Sequence, residues 1–221
     1  PCLALGLSPF IMQFTESVIS VCFNTSLQNY GGDLAVGAMT ILLSVMQIAM
    51  LPLQGLTQGA QPIISFNYGA GNPYRVKQTV HLLLIVCLTY STMLWTICMF
   101  FPQLFITIFT DNAQLATFTA YTIRIYMACS LLFGAQIACQ QTFIALGNAK
   151  TSIFLALLRK VILIIPLIYI LPHFLATPVI GVFLAEPIAD FLAVSTTVCL
   201  FTISFRRLMK KMMQSPSVPI L

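Results

Sequence analysis

Charge is what this sequence lacks. Only 7% of its 221 residues are Asp, Glu, Lys or Arg, against about 25% in a soluble domain. The few charges come in knots. None lies between Asp33 and Arg75, between Lys77 and Asp111, or between Lys160 and Glu186. Runs of that kind exclude a hydrated surface over most of the chain. There are two histidines, and the seven cysteines (Cys2, Cys22, Cys87, Cys98, Cys129, Cys139, Cys199) show no C-x-x-C spacing. The sequence therefore offers no recognisable metal motif, and the cysteines read as small core hydrophobes. The chain opens on Pro1, with no basic leader and no cleavage signal, and is expected to be a piece of a longer polypeptide.

What is present is apolar: 59% hydrophobic residues, with a mean hydropathy of +0.96. Lipid forces backbone polar groups to pair internally, which leaves helices or a closed barrel. The apolar runs are much longer than the roughly 10-residue alternating strands of a barrel, so the expected class is an all-α membrane protein. About 20 apolar residues cross the hydrocarbon core, and six crossings fit: residues 8–30, 33–66, 73–101, 112–147, 151–171 and 177–205, with residues 206–221 as a basic tail. Ser8-Pro9 and Thr177-Pro178 supply cap-plus-proline starts. Asn29-Tyr30-Gly31-Gly32 and Gly147-Asn148 supply stops. On this division Arg75, Lys77, Lys150, Arg159, Lys160, Arg206, Arg207, Lys210 and Lys211 fall on one side, with Arg124 as the exception. The positive-inside rule makes that side cytoplasmic, with both chain ends there. The net charge of +5 then reflects orientation and contact with membrane lipid, not nucleic acid.

Polar residues inside the spans fall in stripes. Gln13, Glu16, Ser17, Ser20, Asn24 and Gln28 recur at intervals of three and four along one helical face. Thr40, Ser44, Gln47, Gln54, Gln58, Gln61 and Ser65 do the same. Glu186, Asp190, Thr197 and Ser204 share a face of the last span, and Gln136 pairs with Gln140. Two readings stand open: hydrogen-bonded glue between helices, worth about 0.6–2 kcal/mol per contact, or the wall of a wet cavity, for which a continuous stripe argues. Glu16, Arg124, Glu186 and Asp190 fall at mid-membrane depth, where a charge costs about 2.5–3.5 kcal/mol and marks a functional candidate. They read either as a proton- or cation-binding set or as a static ion pair of Arg124 with Glu186 or Asp190. Pro52, Pro62 and Pro187 lie inside spans, where each removes a backbone bond. Helices broken near the midplane are a recurrent transporter device.

The stretch Gln61-Pro62-Ile63-Ile64-Ser65-Phe66-Asn67-Tyr68-Gly69-Ala70-Gly71-Asn72, followed by Arg75-Val76, resembles the cytoplasmic loop motif of the MATE (multidrug and toxic compound extrusion) transporters. Leu5-Gly6-Leu7, Ala145-Leu146-Gly147-Asn148-Ala149 and Glu186-Pro187-Ile188-Ala189-Asp190 match as well, the last resembling the bacterial MepA-like and DNA-damage-inducible branch. The resemblance covers essentially the whole chain and aligns it with the second of two six-helix lobes. It implies a secondary antiporter, not an enzyme, that exports drugs or organic cations in exchange for protons or sodium. Such a protein needs no other cofactor and resides in the bacterial inner membrane. Its N-terminal lobe would be the missing partner.

Glu16 stands where the sodium-coupled branch has a cation-site Glu. That branch also has an Asp on its tenth helix, where this chain offers Arg124. The other branch places its coupling Asp on the first helix, outside this sequence, so the coupling ion stays open. Glu16 is then expected to bind the coupling cation, with Gln13, Asn24, Gln47 and Gln54 facing the cavity. Two rivals remain: a flippase for lipid-linked sugars on a related fold, and an intramembrane enzyme using Glu186 and Asp190 as paired carboxylates.

Overall fold

A computed structural model describes the backbone of residues 2–214 and the side chains of residues 14–148, 151 and 154–214. The expectations for the side chains of Gln13, Lys150 and the Leu5-Gly6-Leu7 segment lie outside the described residues. Helix accounts for 91% of the described residues, which contain no strand.

α1, Cys2–Gly69, begins ahead of the expected Ser8 start and is broken once, at Gly32, with φ 62° and ψ −159°. That backbone region suits glycine alone. The break doubles the chain back. Ile19 on the first arm (residues 2–31) and Leu43 on the second (residues 33–69) line one small cavity, whereas a straight helix would hold them about 36 Å apart. Gln28 Nε2 donates to Asp33 Oδ1 across the bend, at 3.1 Å. The expected limits of 30 and 33 fall at this corner. Pro52 and Pro62 do not break the second arm; the non-helical residue inside α1 is Gly32, at the corner between the arms.

α2, Pro73–Phe100, starts with Pro73 in the first turn, and Asn72 Oδ1 accepts from the Arg75 N–H at 3.2 Å. A short α3, Gln103–Ile106, occupies the following connection. α4, Ala113–Tyr126, is capped by Asn112, whose Oδ1 accepts from the Gln114 and Leu115 N–H groups. Here the structure departs from the sequence expectation. Residues 112–147 are not one helix: the chain breaks after Tyr126, passes through a 3-10 turn at Ser130–Leu132 and resumes as α5, Phe133–Ala145, bent by 49°. Trp95 Nε1 donates to the Ala128 carbonyl at the break, at 3.1 Å, pairing a group that a regular helix would have used itself.

The next span is α6, Ala149–Leu157, then a π-helical turn, Leu158–Ile164, then α7, Ile165–Phe174. Pro166 explains the turn: it cannot donate to the Ile162 carbonyl and its ring crowds that oxygen, so the preceding turn widens. α8, Pro178–Gln214, runs past the expected end at 205, so the basic residues assigned to a tail sit on helix. Among the described residues four helices are long and apolar enough to cross a membrane, and the bent α4–α5 pair makes a fifth span by the same measure.

Two apolar clusters hold the helices together. Phe23, Leu42, Ile123, Ile168 and Phe183 belong to one; Leu53, Val80, Cys139, Phe143 and Phe201 belong to the other. In the second, α5 meets α2 backbone to backbone: a Cβ on Gly134 would lie 2.3 Å from the Cys87 carbonyl oxygen. Gly134→Ala is therefore expected to force the two helices apart, at about 1–3 kcal/mol. Thermal unfolding of the full-length protein in detergent reads this out. Gly55→Ala is the control: it meets open space on an exposed helix and should be neutral or slightly stabilising.

Candidate functional site

Three elements bring ionisable groups together inside the bundle. The first arm of α1 supplies Glu16, the π turn supplies Arg159 and Lys160, and α8 supplies Glu186 and Asp190. Arg159 Nη2 donates to Glu186 Oε1 at 2.9 Å, and its Nε donates to Asp190 Oδ1. Lys160 Nζ donates to Glu16 Oε1. Glu186 and Asp190 are one helical turn apart, so one guanidinium fork reaches both. The Phe133 ring lies 5.6 Å from the guanidinium carbon, a cation–π contact that covers the plane of the fork.

The π turn lets one segment serve both partners. Neighbouring residues on a helix point about 100° apart, and the widened turn carries Arg159 inward to α8 and Lys160 toward α1. Single π turns recur at functional positions in helices.

Burial grades across the cluster. The Asp190 side chain is fully buried and Glu186 nearly so, whereas the Glu16 side chain is 54% exposed. Between them lies a cavity of about 70 Å³, lined by Glu16, Ser20, Tyr126, Arg159, Lys160 and Glu186 among others. That volume takes water or a monatomic cation and falls well short of the roughly 300 Å³ or more of a drug-sized pocket. Asp190 Oδ2 is buried and has no hydrogen-bond partner among the described residues. The count is three carboxylates to two cations. With all five ionised, the cluster carries one negative charge without an internal counter-charge.

The sequence expectations divide accordingly. Glu16, Glu186 and Asp190 are brought together. Arg124 is not part of the set: it is exposed, and the cation that meets Glu186 and Asp190 is Arg159. Arg159 and Lys160, assigned to a cytoplasmic connection, are instead inside a span. Their own position gave the signal, since both fall within the expected limits of 151–171. Asn24 is half-buried, and Gln47, Gln54 and Gln58 are exposed. Together with Glu16, Ser17, Gln28 and Thr40 they leave polar groups on the outside of α1. Lipid cannot hydrogen-bond such a stripe; water or another protein surface can. Thr197 and Gln136 are buried, which suits glue within the lobe.

Comparison with known proteins adds the following. The family model described as MatE matches residues 9–170. The chain is 24% identical over 191 residues to the multidrug export protein MepA of Staphylococcus haemolyticus, covering 86% of this chain and 42% of that protein. It is 30% identical over 158 residues to the FAD transporter of Shewanella oneidensis, covering 72% of this chain and 34% of that protein. The solved structure of the multidrug transporter DinF-BH, in complex with R6G, aligns at 32% identity with a TM-score of 0.78, over 92% of this chain and 45% of that one. The chain thus spans less than half the length of each of these proteins.

Proposed function

This chain belongs to the MatE family, and on that premise we propose that it forms one half of a multi-pass membrane exporter that expels drug-like organic cations in exchange for protons or sodium. Members of the family are transporters, not enzymes. The two arms of α1, then α2, the bent α4–α5 pair, the α6–α7 segment and α8 would make six crossings. Their basic ends would lie in the cytoplasm.

The observation that carries the reading is the charge imbalance of the buried cluster. Three carboxylates against two cations leave room for one added positive charge, beside a cavity fit for an ion and not for a drug. Binding a coupling cation there balances the set; losing it restores the deficit. The drug would bind in a larger space between the polar face of α1 and the other half of the protein, with Asn24, Gln47 and Gln54 orienting it. Rocking of the two halves about that space gives alternating access. The flippase alternative is disfavoured by the same count, because a diphosphate needs a net positive cavity. Paired-carboxylate chemistry is disfavoured by Arg159, which engages both Glu186 and Asp190.

The cavity is tested by thiol accessibility. In full-length protein whose native cysteines are replaced, Asn24→Cys, Gln47→Cys and Gln58→Cys are expected to react with a membrane-impermeant maleimide, and Leu82→Cys, on an exposed apolar surface of α2, is not. Protection of all three α1 positions from both sides of the membrane would remove the wet passage and the transport reading with it.

A further inference from the structure

The lobe has a second concavity that shares no residue with the ionic cluster. It is a groove of about 710 Å³ between α2, α5 and α8. Leu84 and Leu88 of α2, Cys139 of α5, and Val198 and Phe201 of α8 form its apolar walls. Phe201 stacks on Phe205, with ring centroids 5.1 Å apart, and gives the groove a flat aromatic side. Its other lining is basic: Lys77, Arg206, Arg207 and Lys210. All four are exposed, and no acidic residue lines the groove among the described residues. The ion pairs found among the described residues all belong to the other cluster, so these four charges have no internal counter-charge.

The groove has the dimensions of one leaflet. From Arg206 back to Val198 α8 rises about 12 Å, and from Lys77 to Leu88 α2 rises about 17 Å. Half of a hydrocarbon core about 30 Å thick is about 15 Å. The basic residues sit at one end of this depth, and the apolar walls occupy the rest. A bare anion would leave the walls uncovered, and an apolar molecule would leave four cations unanswered.

We propose that this groove binds one anionic phospholipid, with its phosphate on Lys77, Arg206, Arg207 and Lys210 and an acyl chain along Leu84, Leu88 and Val198. Basic clusters at the cytoplasmic end of membrane helices recognise such headgroups, and the paired arginines offer bidentate contacts to phosphate. The proposal rests on the chain spanning a membrane and not on what it transports.

The test uses full-length protein stripped of lipid in neutral detergent. Phosphatidylglycerol is expected to raise the melting temperature, whereas phosphatidylcholine and glycerol 3-phosphate leave it unchanged. Lys77→Gln/Arg206→Gln/Arg207→Gln/Lys210→Gln is expected to weaken the phosphatidylglycerol response by about tenfold or more in lipid concentration. Val198→Trp keeps every charge and fills the apolar wall, and is expected to abolish the response. Native mass spectrometry, which needs no melting transition, should show one retained phosphatidylglycerol fewer in each variant. An equal response to phosphatidylcholine or glycerol 3-phosphate, or an unchanged response in either variant, overturns the proposal.

Discussion

Replacing Arg159 by Met is expected to cost about 3–5 kcal/mol of stability, the usual penalty for removing one side of a buried ion pair. The cost arises at the partners. Met fills much of the same space and keeps an apolar contact with Phe133, so the packing loss is small. Glu186 and Asp190, with side-chain exposures of 7% and 0%, are left buried without the cation that pairs them. Thermal or denaturant unfolding of the full-length protein in detergent measures the effect. Arg124→Met is the matched control, because Arg124 is exposed; it should stay within about 0.5 kcal/mol of the parent. A second arm separates charge from shape. Adding Glu186→Gln and Asp190→Asn to Arg159→Met removes the stranded charges and should recover most of the loss, because replacing a buried ionic set as a whole is often neutral. Arg159→Lys should recover little, since one ammonium cannot span two carboxylates as the fork does. If Arg159→Met melts with the parent protein, the pairing to α8 carries no weight.

Arg159 also marks where the sequence stopped being readable. The helical class and the hairpin corner were legible, because each follows from local chemistry: apolar length, the Gly31-Gly32 pair, and Asn72 and Asn112 as caps. The polar face of α1 was legible from spacing alone. The break in the fourth span was not, because Met127-Ala128-Cys129-Ser130-Leu131-Leu132 contains neither proline nor glycine. That break is held by distant groups, the Trp95 indole and the close approach of Gly134 to Cys87. The length of α8 is not legible from charge, because a basic cluster does not end a helix. Arg, Lys and Met are good helix formers, and no proline follows until Pro216. The loop-charge rule counts the dibasic pair Arg159-Lys160 as loop cations because it cannot see their partners. Those partners are 27, 31 and 144 residues away, a distance that no local pattern spans. Removing the pair from the orientation count leaves seven basic residues (nine less two) opposite Arg124, so the asymmetry survives the correction.

The charge count also fixes the largest expected change in activity. Glu16→Gln turns three carboxylates against two cations into two against two. A balanced cluster has no deficit for a coupling cation to fill, so exchange should lose its driving step. Dye efflux by the full-length protein in cells or proteoliposomes is expected to fall by at least about tenfold, the factor set by about 1.4 kcal/mol, with protein abundance unchanged because Glu16 is exposed. Lys160→Met moves the count the other way, to three against one. Glu16 then faces the cavity without its tethered ammonium, and an arriving cation no longer has to displace it. The apparent KM for cation should fall while kcat also falls, since tighter binding slows release. The two single variants thus fail by opposite routes. The double variant Glu16→Gln/Lys160→Met restores two against one and with it the single uncompensated negative charge, now held by Glu186 and Asp190 beside Arg159. If the deficit is what couples the cation to export, the double variant should pump better than Glu16→Gln alone. If instead the Glu16 carboxylate itself must touch the ion, it should pump no better. A Glu16→Gln protein that extrudes dye like the parent across pH and sodium concentration would exclude both.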